Sequence, residues 1–230
     1  MLRAAIFDVD GTLYDYQAAH APAYRALKDY AAQALSLTPE RFDALHRDAS
    51  REIEARAGKN SAVIHNRLIR YQRMLEQIGA PIAHAPRMAE IYWSTLLEAM
   101  RPFPGAAEAL EQLKSMGLTL GIGTNMTADR QYSKLERLGI LPYVDFMVSS
   151  EEACVEKPDR RLFDLCAEKA GCAAGECVFV GDSLNGDVFG AVGAGMRAVW
   201  FRPEPGPAEA PPGAAVLRAY ADLPKIFAPF

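Results

Sequence analysis

The chain has 230 residues, half of them apolar and 23% charged, with a formal net charge of −4. That is enough to bury a sizeable core as one α/β domain with an insertion or second small domain, and too apolar for disorder. The mild acidity excludes the basic stripe that a nucleic-acid polymer needs, yet allows a local positive pocket for a small anion.

The first apolar strand starts near residue 4 and runs through Ala4-Ala5-Ile6-Phe7 into Asp8-Val9-Asp10-Gly11-Thr12-Leu13. No basic-then-apolar leader precedes it, and no apolar run reaches the roughly 20 residues that span a bilayer, so a cytoplasmic protein without membrane contact is expected. Residues two apart on a strand share a side. Asp8 and Asp10 are therefore expected to reach one centre just beyond the carboxyl end of the strand, where open α/β sheets bind ligands. Two carboxylates so close repel unless a cation or proton intervenes, which points to a metal or to divided protonation states. The same residues also suit an ordinary capped turn, so the rest of the chain must decide.

From residue 16 to about 100 apolar residues recur three and four apart, which predicts helices near 17–35, 40–57, 61–79 and 85–99 in a separate helical unit. Thr38-Pro39, Gly58-Lys59-Asn60 and Gly79-Ala80-Pro81 break them. On a wheel over 63–78, Val63, Ile64, Leu68, Tyr71, Met74, Leu75 and Ile78 share one arc with Arg67 inside it. An arginine there snorkels, pairs with a buried acid, or points at a ligand. Tyr14 and Tyr16, at the entry to this unit, either pack a hinge or stack on a nucleobase.

At Arg101-Pro102-Phe103-Pro104-Gly105 the pattern changes to alternating helices and short apolar strands, near 118–123, 144–149, 176–181 and 196–201. Such alternation predicts βαβ units and a parallel sheet. Thr124 and Asn125 follow one strand and are expected to open a helix, as an N-cap or as a cradle for an anion. Lys157, before Pro158, sits where a helix is expected to begin; it is either solvated or a neutraliser of phosphate. Val178-Phe179-Val180-Gly181-Asp182 repeats the first strand's logic, with Asp187 five residues on. A hard cation such as Mg²⁺ needs only two or three acids from different strands. Four cysteines, Cys154, Cys166, Cys172 and Cys177, lack Cys-x-x-Cys spacing and are expected as thiols, since zinc on Cys172 and Cys177 would need two further ligands. The Pro-rich run 203–213 reads as a surface loop.

The ordered set Asp8-Val9-Asp10-Gly11-Thr12, Thr124, Lys157-Pro158 and Gly181-Asp182 through Asp187 resembles the four motifs of the haloacid dehalogenase superfamily. The resemblance covers residues 1–15 and 101–230, and the helical segment 16–100 is similar in position to that family's first-type cap. It implies a Rossmann-like α/β core with an all-helical cap inserted after strand one. It further implies Asp8 as a nucleophile forming an aspartyl-phosphate, Asp10 as general acid and base, and Mg²⁺ held by Asp8, the Asp10 backbone carbonyl and Asp182, with Asp187 orienting the metal shell. Thr124, Asn125 and Lys157 would hold the phosphoryl group.

Carbon-halogen and phosphonate hydrolases of the superfamily lack the second acid, so Asp10 favours phosphate esters. The expected enzyme is a phosphatase acting on a small phosphorylated metabolite, a nucleoside monophosphate being one candidate because the stretch 123–152 resembles pyrimidine 5'-nucleotidases. Sugar-phosphate mutases share both acids; a 2-haloacid dehalogenase and a non-catalytic phosphometabolite-binding protein are the remaining alternatives. Arg67, Tyr14 and Tyr16 are candidate specificity residues, and a monomer or homodimer is expected.

Overall fold

Strand β1 (Ala4–Phe7) is buried along its whole length, as a strand must be when helices cover both faces of a parallel sheet. The computed structural model describes residues 1–206 and 209–227. In it β1 pairs in parallel with β2 (Thr119–Thr124) on one side and β4 (Cys177–Gly181) on the other. With β3 (Phe146–Ser149), β5 (Arg197–Phe201) and β6 (Ala214–Leu217) they form one sheet in the order β3-β2-β1-β4-β5-β6. The chain winds away from β1 in both directions, so the crevice at its carboxyl end is the switch point where α/β sheets take ligands.

This is the α/β parallel sheet expected from the sequence, with one addition. β6, Ala-Ala-Val-Leu, follows the Pro-rich run and is not among the strands expected from the sequence. Pro207 and Ala208 of that run lie outside the described residues. No helix among the described residues is long and apolar enough to cross a membrane.

The chain forms two compact units, Met1–Asp15 with Arg101–Phe230, and Tyr16–Met100. The second contains α1 (Tyr16–Leu35), α2 (Pro39–Ala57), α3 (Arg67–Gln77) and α4 (His84–Ala99). The helix expected over 61–79 is divided: Ala62–His65 make a tight turn, and Asn66 accepts from the Ile69 amide at 3.1 Å to start α3. A continuous wheel therefore misplaces the apolar face. Val63 and Leu68 are over 40% exposed, while Arg67, Tyr71, Met74 and Leu75 are buried.

In the α/β unit, helices α5 (Ala106–Ser115), α6 (Ala128–Arg137), α7 (Ser150–Ala153), α8 (Arg160–Ala170) and α9 (Phe189–Gly193) connect the strands. Phe163 and Phe179 meet edge-to-face at 5.0 Å in the core beside Cys166. All four cysteines are free. The Cys172 and Cys177 sulfurs lie 3.4 Å apart, but the one metal-competent cluster among the described residues is made of aspartates.

Near the end of the chain Tyr220, 1% exposed, donates its hydroxyl to the Thr12 carbonyl at 2.7 Å. This buried bond ties the turn after β1 to a segment more than 200 residues away. Removing the donor leaves a buried carbonyl unsatisfied. Tyr220→Phe is expected to cost about 1–2 kcal/mol in urea unfolding, and an unchanged midpoint would show that the bond does not hold that turn.

Candidate active site

Asp8 follows the last residue of β1 and is 7% exposed. Its carboxylate accepts from the Lys157 ammonium at 2.6 Å, and the same ammonium reaches Asp187 at 2.7 Å and the Gly123 carbonyl at 3.0 Å. Asp182 enters from the tip of β4, where Thr12 both donates to its carboxylate at 3.1 Å and accepts from its amide at 3.0 Å. Carboxylate oxygens of Asp8, Asp182 and Asp187 lie within 4.8 Å of one another.

Two glycines make that crowding sterically possible. A Cβ on Gly11, whose φ is +84°, would lie 2.5 Å from an Asp182 oxygen, and one on Gly181 would lie 2.3 Å from an Asp187 oxygen. Asp187 sits on a single π-helical turn, Leu184–Val188, and accepts from the Ser183 amide at 2.9 Å. Such turns recur at functional sites because they redirect one side chain without ending the helix.

Burial raises the Asp8 carboxyl to about 7, with Asp187 and Asp182 adding repulsion that Lys157 offsets only in part. Burial and Asp187 likewise raise Asp182, to about 6. Lys157 is held above its ordinary value because Asp187 and Asp8 outweigh the burial that opposes its charge. Three hard oxygen donors with surplus negative charge fit an oxophilic dication such as Mg²⁺.

Asp10 is not in this cluster. Because β1 ends at Phe7, the two-residue alternation does not extend to Asp10, and its side chain has a separate set of partners. The Asp10 carboxylate takes the Lys134 ammonium at 2.7 Å on both oxygens, together with bonds from the Tyr14 hydroxyl and, at 3.3 Å, the Gln131 amide. Burial works to raise Asp10, but Lys134 and these hydrogen bonds prevail and hold it below the ordinary carboxylate range.

Thr124 ends β2 instead of opening a helix, since α6 starts three residues past Asn125. Its hydroxyl accepts from Gln131 at 2.8 Å, and the Asn125 side chain accepts from the Lys157 amide at 2.8 Å. α8 likewise begins at Arg160 behind an Asp159 cap, leaving Lys157 and Pro158 in the loop. Tyr14 is buried against Asp10, so it holds a carboxylate and has no free face for a base. Arg67 and Tyr16 belong to the helical unit, where they bond to each other at 3.0 Å.

Lys134 and Gln131 are functional-site residues that the sequence reading missed. They stand three apart on α6 beside Leu135, all buried. A lysine and a glutamine on the inward face of a helix were the available signal.

The sequence matches the haloacid dehalogenase-like hydrolase family over residues 2–195. The chain belongs to this family. Ribulose-1,5-bisphosphate 5-phosphatase of Halopiger xanaduensis is 36% identical over 88% of this chain and 86% of its own length. Glyceraldehyde 3-phosphate phosphatase of Methanothermobacter thermautotrophicus is 33% identical over 89% and 87%. Pyrimidine 5'-nucleotidase YjjG of Escherichia coli is 33% identical over about half of each chain, 50% and 51%. Among solved structures, a 2-haloacid dehalogenase from Pseudomonas syringae superposes with a TM-score of 0.78 at 28% identity, covering 100% of this chain and 99% of that one.

In this hydrolase the raised carboxyls have a consequence for stability. The folded protein keeps protons on Asp8 and Asp182 that the unfolded chain has released above its ordinary value of 3.8, so the metal-free protein loses stability as the pH rises from there toward 7. Asp182→Asn removes one repelling charge. It is expected to raise the melting temperature in chelator at pH 8 and to abolish any stabilisation by Mg²⁺; a variant that melts lower in chelator contradicts this electrostatic account.

Proposed function

We propose that this hydrolase is a Mg²⁺-dependent phosphatase that cleaves the phosphate monoester of a small metabolite through an aspartyl-phosphate on Asp8. The observation that supports it most is the separation of two acids: Asp8 sits among Lys157, Asp182 and Asp187, while Asp10 is held apart by Lys134. A dication among Asp8, Asp182 and Asp187 would keep Asp8 ionised for attack, while Asp10 stands outside those three carboxylates and is left for acid-base work.

An Asp8 oxygen attacks phosphorus and the ester oxygen departs with a proton from Asp10. Lys134 and the hydrogen bonds around it favour the ionised form of Asp10, so Asp10 takes up its first proton from solvent as substrate binds. Water then attacks the acyl phosphate and gives a proton to Asp10, leaving inorganic phosphate, free Asp8 and a protonated Asp10 for the next cycle. Thr124, Asn125 and Lys157 hold the phosphoryl oxygens, where preorganised donors contribute most. Asp8, Asp182, Asp187 and the Asp10 carbonyl would hold Mg²⁺, which supplies positive charge to the phosphoryl oxygens.

The similar proteins named for ribulose bisphosphate and glyceraldehyde 3-phosphate support a phosphorylated sugar or its fragment as the substrate class. A nucleoside monophosphate has the narrower support of the half-length similarity to YjjG. Hydrolysis, in preference to a mutase's phosphoryl transfer, agrees with all three names.

Asp8→Asn is expected to abolish phosphate release from p-nitrophenyl phosphate and from sugar phosphates alike. Asp10→Ala should slow a sugar phosphate roughly 100-fold or more, and p-nitrophenyl phosphate far less, since nitrophenolate leaves without a proton. Near wild-type turnover by the first variant rules out the covalent route. Equal losses on both substrates by the second rule out Asp10 as the acid.

A further inference from the structure

Asp182 is the first residue past the end of β4, so the ladder of the sheet no longer serves its main chain. Side chains do that instead. The Thr12 hydroxyl accepts from the Asp182 amide at 3.0 Å and donates to its carboxylate at 3.1 Å, and the Trp200 indole N–H donates to its carbonyl at 2.9 Å. The peptide planes on both sides of Asp182 are thereby fixed, and with them the direction of its Cα–Cβ bond.

Both holders are themselves held. Thr12 is fully buried, and its carbonyl takes the Tyr220 hydroxyl at 2.7 Å. Trp200 stands opposite Gly181 in the pairing of β4 with β5, half-buried, with the Arg202 guanidinium carbon 5.0 Å from its ring centroid. The next residue, Phe201, packs against Phe103 and Tyr220 at centroid distances of 4.9 and 5.0 Å. Water at the rim of the sheet would satisfy the indole N–H equally well. Its use on this one carbonyl sets Trp200 apart from a packing residue.

Asp182 needs such restraint. Its carboxylate lies within 4.8 Å of those of Asp8 and Asp187, and before a cation arrives the repulsion among them favours turning one away. Turning takes a side-chain rotation or a shift of the backbone; the bond from Thr12 to the carboxylate opposes the first, and the bonds at the amide and carbonyl oppose the second. A ligand already in place loses less entropy when its metal binds, and removing outer partners of this kind typically weakens metal binding roughly 10- to 100-fold.

We propose that Trp200 is a positioning residue for the metal: its indole N–H holds the Asp182 main chain so that the carboxylate stands ready for the dication. The inference rests on the metal-binding part of the phosphatase reading and not on turnover.

Two substitutions separate the N–H from the ring. Trp200→Phe keeps an aromatic ring and loses the donor, whereas Trp200→His loses the larger ring and keeps a nitrogen that can donate at the equivalent ring position. Melting temperature followed against Mg²⁺ concentration at pH 8 gives an apparent affinity without catalysis. The wild type is expected to be stabilised saturably. Trp200→Phe should need about 10-fold more Mg²⁺ for half of the rise, the low end of that range because the bond lies at the solvent edge, and Trp200→His should recover most of the loss. Mg²⁺ should also change the tryptophan emission of the wild type, and the change should vanish in Trp200→Phe, whose remaining tryptophan is Trp93 of the helical unit. A Mg²⁺ midpoint in Trp200→Phe within about threefold of wild type, or an emission change that persists in that variant, overturns the proposal and leaves the metal reading intact. If Trp200→Phe does not fold, Trp200→His carries the test: a midpoint within about threefold of wild type supports the bond, and a larger shift overturns it. A wild type that Mg²⁺ does not stabilise overturns the metal reading and this inference with it.

Discussion

The Lys157 ammonium is the interaction on which the catalytic end of the sheet depends. It is 5% exposed and bridges Asp8 and Asp187, which come from different parts of the chain. Without it, three carboxylates would crowd one another at the tips of β1 and β4. Removing one partner from a buried ion pair typically costs 3–5 kcal/mol, because the remaining charge is stranded. The loop that carries Lys157 is itself fixed by the Asn125 side chain on its backbone amide. One lysine therefore couples the end of β2, the end of β1 and the turn after β4.

The surplus of negative charge that remains is informative. A single lysine cannot balance Asp8, Asp182 and Asp187, and burial then raises Asp8 and Asp182. A protein selected for stability alone would trim that surplus; three hard oxygen donors held this close instead fit a dication. Asp10 shows the opposite arrangement, with Lys134, Tyr14 and Gln131 all supporting its charge. The two acids lie two residues apart in sequence but occupy electrostatic environments of opposite sign.

Much of this was legible in the sequence because strand tips are local. Asp8, Asp182 and Lys157 each follow an apolar run or precede a proline, and the parallel sheet follows from the alternation of helix and strand. What was not legible depended on distant partners or on short elements. Lys134 meets Asp10 across 124 residues, and nothing near Asp10 signals that contact. β6 is hidden behind the Pro-rich run that precedes it, and the break at Asn66 turned an apparent single amphipathic helix into a turn and a shorter helix. The helix starts expected at Thr124 and Pro158 fell a few residues late because the site keeps those positions in extended and loop backbone.

The way the chain leaves and re-enters the α/β unit has an evolutionary meaning. The Phe103 amide donates to the Leu13 carbonyl at 2.9 Å, and Tyr14 bridges to Pro102. The departure and return points are thus stitched side by side within the same unit, like the two stubs of a long hairpin. Whatever lies between them adds only a slowly growing loop-closure entropy. An excursion between such stubs can be lengthened, replaced or rebuilt while the strand tips stay in register.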